Sequence, residues 1–305
     1  LSNIYQSGIT AAANTDALFI TLNVLPHKKN NIKSQLNKAQ SLIFKFQQTH
    51  AASNPHGVIA IGSEFWQEIS PNSQPKELTS FPDIQSTPET PVTPVDLLLH
   101  IRSNRRDLTY LLTKEIMTLL SGYVELVEEV SCFRYLDSRD LTGFIDGTEN
   151  PEGSQRANVA LVKKDEDAEY ANGSYIHLQR FIHNLENWQN LAVKEQEDII
   201  GRTKQDNIEY KSEDKPLTAH VKRASAKSKD GQGLEILRHS MPYANLSEAG
   251  LLFASYCSSP INFSKMLENM MLGDGSGHTD KLMQYTKAVT GQAFFAPSIS
   301  WFEQT

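Results

Sequence analysis

Two apolar stripes at helical spacing, each framed by short runs rich in β-branched and aromatic residues, constrain the first half of this chain more than any other feature. Ile32, Leu36, Ala39, Ile43 and Phe46 recur at intervals of three and four, so one helix face gathers all of them. Leu108, Leu111, Leu112, Ile116 and Leu119 draw a second such face. Strand-like runs fall at Ala17 to Val24, stopped by Pro26, at Gly57 to Ile61, at Leu97 to Ile101, and from Val124 to Tyr135. Between Pro71 and Pro94 six prolines interrupt every period and mark a long loop.

The resulting order is strand, helix, strand, strand, helix, strand. This is the split βαβ pattern of a ferredoxin-like sandwich, in which helices cover one face of an antiparallel sheet. The second half repeats it in outline. Gly173 to Phe181 reads as a strand, and a helical stretch carrying Leu185, Trp188 and Ile199 ends at Gly201. Glu235 to Arg238 and Leu251 to Tyr256 supply two further strands, and Phe263 to Leu272 a helix. Leu97-Leu98-Leu99 before one helix pairs with Leu251-Leu252-Phe253 before another, as a degenerate internal repeat would. At 305 residues the chain exceeds what one core usually organises. The expected fold class is α+β: two ferredoxin-like βαββαβ domains, residues 1–138 and 139–305, forming a dimeric sandwich or barrel.

A formal net charge of −7 argues against nucleic acid and against an anionic membrane surface, since both select basic stripes. Small molecules, or copies of the chain itself, are the expected partners. Cys132 and Cys257 stand far apart and outside any CxxC spacing, which suits a reducing compartment. Leu1 to Gln6 lacks the basic start and apolar stretch of an export signal, and no run is long enough to span a membrane, so a cytoplasmic location is expected. None of the nine histidines sits in HExxH, CxxCH or a close Cys/His cluster, which speaks against a protein-ligated zinc and a covalently attached haem. His27, His50, His56 and His278 lie beside turn or polar residues and read as surface groups; His100 and His177 fall within strands and read as core.

The sharpest local feature is Gly143-Phe144-Ile145-Asp146-Gly147-Thr148-Glu149-Asn150-Pro151. On its own it is a string of turn formers. It also resembles the GxxDG signature of dye-decolourising peroxidases, whose glycines let the backbone bend around a flat ligand and aim one carboxylate at it. Other segments are similar to that family in order and spacing. They are Gly173-Ser174-Tyr175, Arg180-Phe181-Ile182-His183, Trp188, Ile200-Gly201-Arg202 with Lys204, and Ala219-His220-Val221-Lys222-Arg223. Arg238, Thr279-Asp280-Lys281-Leu282 and Thr290 to Phe295 continue the likeness, and Asn3 to Ile9 resembles the bacterial branch without an export signal.

The resemblance covers nearly the whole chain and implies a haem peroxidase that uses hydrogen peroxide to oxidise dyes, phenolics and other small electron donors. It implies one non-covalent b-type haem (iron protoporphyrin IX) per chain, with His220 as iron ligand and Asp280 hydrogen-bonded to it. Asp146 and Arg238 would be catalytic, sharing the work in a proportion that the sequence leaves open. Gly143, Phe144, Ile145, Gly147, Thr148, Arg202, Leu251 and Phe253 would bind the cofactor, and the protein would be a homo-oligomer, at least a dimer. On the residues alone, plainer readings stand beside these. His220 is a surface histidine in a charged stretch, Arg238 a strand-end salt-bridge partner, Asp280 a helix cap, Arg202 a helix-end charge, and Leu251 and Phe253 ordinary core. Many family members carry asparagine two residues beyond the arginine, where this chain has Ser240. The alternative function is a haem-binding protein for storage, delivery or iron release.

Overall fold

Each half of the chain contributes its strands to one antiparallel sheet. The computed structural model describes residues 4–304, so the reading of Leu1 to Asn3 lies outside the described residues. The strands are β1 (Asp16–Val24), β2 (His56–Gly62), β3 (Leu97–Ser103), β4 (Val124–Phe133), β5 (Ser174–His183), β6 (Leu237–Arg238), β7 (Met241–Ala244), β8 (Ala249–Cys257), β9 (Thr286–Ala288) and β10 (Gln292–Ala296). Their order is β4-β1-β3-β2-β10-β5-β8-β6, with β7 added to β8 and β9 to β5. The first four positions are the split βαβ pattern, and the next four repeat it. β3 and β8, which carry Leu97-Leu98-Leu99 and Leu251-Leu252-Phe253, occupy equivalent places in the two halves. The halves join where Gly62 and Ile61 of β2 meet Phe294 and Phe295 of β10. On the far side β4 comes beside β7. There Arg180 on β5 donates to Glu128 on β4 and to Glu248, each at 2.7 Å, so the sheet is nearly closed.

Among the described residues the helices are α1 (Lys29–Thr49), α2 (Trp66–Ile69), α3 (Arg106–Leu119), α4 (Gln155–Ala160), α5 (Leu185–Gln189), α6 (Val193–Ile200), α7 (His220–Arg223), α8 (Pro260–Leu272) and α9 (Ile299–Glu303). α1 buries all five residues of its stripe, together with Leu18, Ile20 and Leu22 of β1 and Leu97 and Leu99 of β3. On the opposite side of the same strands, Ala17, Phe19 and Leu98 pack with Val58, Ile176, Leu178 and Leu252 inside the sheet. Burial on both faces is why these strands read as continuous apolar runs rather than as alternating ones. Each Leu or Ile so buried contributes roughly 1.5–3 kcal/mol.

Several expectations change in the structure. Leu111 is 39% exposed, so the buried stripe of α3 is Leu108, Leu112 and Ile116. The helical stretch before Gly201 is two helices, α5 and α6, with the predicted left-handed stop at Gly201 (φ 94°). The strand expected from Glu235 shortens to Leu237–Arg238. The proline-rich segment forms no strand but is not loose, since Leu78, Phe81 and Ile84 are buried and Phe81 packs on Phe263 of α8 at 5.6 Å between ring centres. His56 is half-buried, within hydrogen-bond distance of Ser7, Gln47 and Asn54. α2, α4, α7, α9, β7, β9 and β10 were not foreseen. No helix among the described residues is long and apolar enough to cross a membrane.

Candidate active site

The turn between β4 and α4 carries Asp146, and its shape follows from buried anchors. Asp140, 9% exposed, accepts hydrogen bonds from Thr142 N–H (3.0 Å) and Thr142 Oγ1 (2.6 Å) and meets His183 Nε2 at 3.1 Å. Burial pushes its carboxyl up, but His183 and Thr142 outweigh this and hold it below the ordinary carboxylate value. Phe144 is buried among Trp188, Ile199 and Ile200. Arg139 Nη1 donates to the carbonyls of Gly143 (2.8 Å) and Lys204 (2.6 Å). Gly143 has φ 90°, a left-handed conformation that favours glycine, while a Cβ there would meet only the flexible end of the Lys204 side chain. Between this bend and a second one at Gly147 (φ 83°), Ile145 and Asp146 stay partly exposed, and Asp146 N–H donates to Ser138 O at 3.0 Å.

Arg238 reaches this carboxylate from β6. The register sets Arg238 opposite Ser255, and Phe253 opposite Gln179. Directly paired residues of antiparallel strands share a side, so Arg238, Ser255, Phe253 and Leu251 line one face. Leu252, Ala254 and Tyr256, which alternate with them, are buried inside the sheet. Arg238 Nη1 lies 3.7 Å from Asp146 Oδ1, with the two side chains 25% and 26% exposed. An ion pair this open is worth about 1 kcal/mol or less, which leaves both groups free to engage a third partner.

His220 opens α7. Its Nδ1 lies 2.6 Å from Oδ2 of Asp280, whose side chain is fully buried. The other carboxylate oxygen of Asp280 accepts Leu282 N–H at 2.9 Å and caps the short 3-10 helix Lys281–Gln284. The two readings of Asp280, helix cap and histidine partner, thus describe one group using both oxygens. Burial lowers the His220 pKa, but Asp280 outweighs it and the net shift is upward. Arg238 and Asp146 also act on it electrostatically, in opposite senses, so the two pairs share one neighbourhood. With Nδ1 committed to Asp280, Nε2 has no hydrogen-bond partner among the described residues.

Arg202 is largely satisfied within the protein. Nη1 donates to Glu149 and Glu209, each at 3.1 Å, and Nε and Nη2 donate to Asn207 at 2.9 and 3.0 Å. Thr148 Oγ1 accepts from Asn207 at 2.7 Å. Ser240 Oγ accepts Ala254 N–H at 3.2 Å, turned onto the sheet backbone. Sequence reasoning missed Asp140, His183 and Asn150 as organisers of the turn. The last two lay inside recognised segments, but nothing local distinguished them from ordinary turn and strand residues. Among the described residues no group of three or more His, Cys, Asp or Glu could hold a metal ion.

A buried-carboxylate–imidazole pair and an arginine–carboxylate pair thus lie in one neighbourhood of a double split-βαβ sheet. Residues 6–134 match the family description "Dyp-type peroxidase, N-terminal", and residues 137–301 match "Dyp-type peroxidase, C-terminal". A dye-decolorizing peroxidase of Mycolicibacterium paratuberculosis is 36% identical over 298 residues, covering 97% of this chain and 84% of that protein. A putative dyp-type peroxidase structure from Shewanella oneidensis superimposes with a TM-score of 0.98 at 45% identity, covering 100% of this chain and 99% of that one. A DypB variant of Rhodococcus jostii RHA1, solved in complex with haem, gives 0.92 at 33% identity, with 96% of each chain covered. The chain belongs to the Dyp-type peroxidase family, and its activity is that of a peroxidase.

Proposed function

We propose that this peroxidase holds one b-type haem per chain, non-covalently, through His220 Nε2, and that Asp146 and Arg238 handle hydrogen peroxide. The observation that carries the reading is Nε2 of His220, without a hydrogen-bond partner among the described residues, its ring fixed by Asp280 and within electrostatic reach of Asp146 and Arg238. The donor set fits the group. One imidazole is too few ligands for a bare ion, but it would suffice to hold an iron that a porphyrin already carries. When bound, haem supplies the redox-active iron through which peroxide oxidises organic electron donors.

Asp280 accepts the Nδ1–H of His220, which fixes the tautomer and raises the basicity of Nε2. Asp146 takes a proton from one peroxide oxygen and returns it to the other. Arg238 donates hydrogen bonds to the negative charge that develops as the O–O bond breaks. Leu251 and Phe253 offer apolar contact to a flat ring. Gly143, Phe144, Ile145, Gly147 and Thr148 shape the turn beside it, and Arg202 acts by pinning Glu149 next to Thr148. The reducing partners are dyes, phenolics and similar small molecules. The protein works as a homo-oligomer, at least a dimer, in the cytoplasm, and its two units divide at 138/139. Haem storage, delivery or iron release is not favoured, because the relatives matched over 97% of the chain are dye-decolorizing peroxidases. In the test, His220→Ala should lose the ferric haem spectrum and peroxide-dependent oxidation of a phenol. An unaltered spectrum would refute the ligand assignment.

A further inference from the structure

We propose that Asn150 is a positioning residue that sets the separation of Asp146 and Arg238; this rests on the roles given to those two side chains above. β6 ends the path of the sheet. Its inner side pairs with β8, and its outward N–H and C=O groups need other partners. At Arg238 a single side chain takes both. Arg238 N–H donates to Asn150 Oδ1 at 2.8 Å, and Asn150 Nδ2 donates to Arg238 O at 2.8 Å. The carboxamide stands in for the peptide of a missing neighbouring strand. Asparagine suits this task because it presents a donor and an acceptor side by side, as a peptide does, whereas aspartate offers two acceptors.

The same residue closes the turn that follows Asp146, since Asn150 N–H donates to Gly147 O at 3.0 Å. Thr148 and Glu149 are tied to Asn207 and Arg202, away from β6. Among the described residues, the two bonds from Asn150 are therefore the hydrogen bonds that join the Asp146 turn to the Arg238 strand. Only the 3.7 Å ion pair itself stands beside them. Leu237 of β6 also packs with Val159 and Ala160 of α4, but without Asn150 no hydrogen bond among the described residues fixes the Asp146 turn against Arg238 itself, and a misplacement of about 1 Å costs roughly a hundredfold in rate.

The experiment follows the haem-loaded protein mixed with hydrogen peroxide in stopped flow, and its amide hydrogen exchange by mass spectrometry. The variants are Asn150→Ala, Asn150→Asp, Arg238→Leu and the Asn150→Ala/Arg238→Leu double. Asn150→Ala should slow the reaction with peroxide by about tenfold to a hundredfold, with haem affinity and absorption spectrum at parental values, and should release protection of the Arg238 amide. In the Arg238→Leu background the same change should add less than about twofold, because a residue acting through Arg238 has nothing left to position. Asn150→Asp, which keeps the acceptor and loses the donor, should fall between parent and Asn150→Ala, and it carries the test if Asn150→Ala does not fold. A parental rate in Asn150→Ala, unchanged exchange, or an undiminished further loss in the double variant overturns the proposal. If Arg238→Leu itself reacts at the parental rate, the role of Arg238 falls as well. If Arg238→Leu is slow and Asn150→Ala is not, only the positioning role falls.

Discussion

Replacing Asp280 by asparagine alters one terminal group and should weaken His220 as a ligand. In the parent, Oδ1 accepts Leu282 N–H at 2.9 Å while Oδ2 faces His220 Nδ1 at 2.6 Å. An amide has one oxygen and cannot serve both. If the oxygen stays on Leu282, the NH2 group meets the Nδ1–H of His220 donor to donor, and the ring escapes by carrying its proton on Nε2. That tautomer has no lone pair for a metal. If the amide flips instead, the cap on Leu282 is lost, at about 1 kcal/mol. The flip also replaces a charge-assisted bond of roughly 1.5–3 kcal/mol with a neutral one near 1 kcal/mol. The flip therefore costs about 1.5–3 kcal/mol, in line with the roughly 10- to 100-fold losses of metal affinity that follow removal of such supporting groups. Titrating haem into the ligand-free Asp280→Asn protein and following absorbance measures this directly. Haem affinity within about twofold of the parent, accompanied by a lowered melting temperature, would show that Asp280 acts only as a helix cap and would refute the reasoning.

Three further outcomes are expected. Asp146→Asn and Arg238→Leu should each slow reaction with peroxide by about a hundredfold or more while retaining haem, and a parental stopped-flow rate in either removes that residue from the step. Asp140 should make stability pH-dependent: its carboxyl titrates below the ordinary value of 3.8 in the fold, so its contribution is present above that value and is lost as pH falls through the lower one. Asp140→Asn should accordingly melt lower than the parent at neutral pH, with the two melting curves converging below about pH 4; a constant gap across that range would contradict the shift. Light scattering at micromolar concentration should give a multiple of 34.2 kDa, and a monomer mass would count against the homo-oligomer.

Secondary structure in the first half was legible because it is a property of contiguous residues. Every member of the α1 stripe is buried as its spacing predicts, and β1 and β3 read correctly because strands covered on both faces show unbroken apolar runs. Leu111 failed because periodicity locates a helix face but not the edge of the surface that covers it. β10 escaped notice because Gln292 to Ala296 is short and gains its identity only by lying between β2 and β5. Of the site, the residue types and their order were available through the family likeness, whereas the distances were not. His220 and Asp280 stand 60 residues apart, and Asn150 and Arg238 stand 88 apart. What brings each pair together is the meeting of particular strand edges and helix ends. Likewise, the double duty of Asp280 and the satisfied guanidinium of Arg202 depend on which groups converge once both halves share a single sheet. Local spacing carries no information about that convergence, so tertiary structure alone decided it.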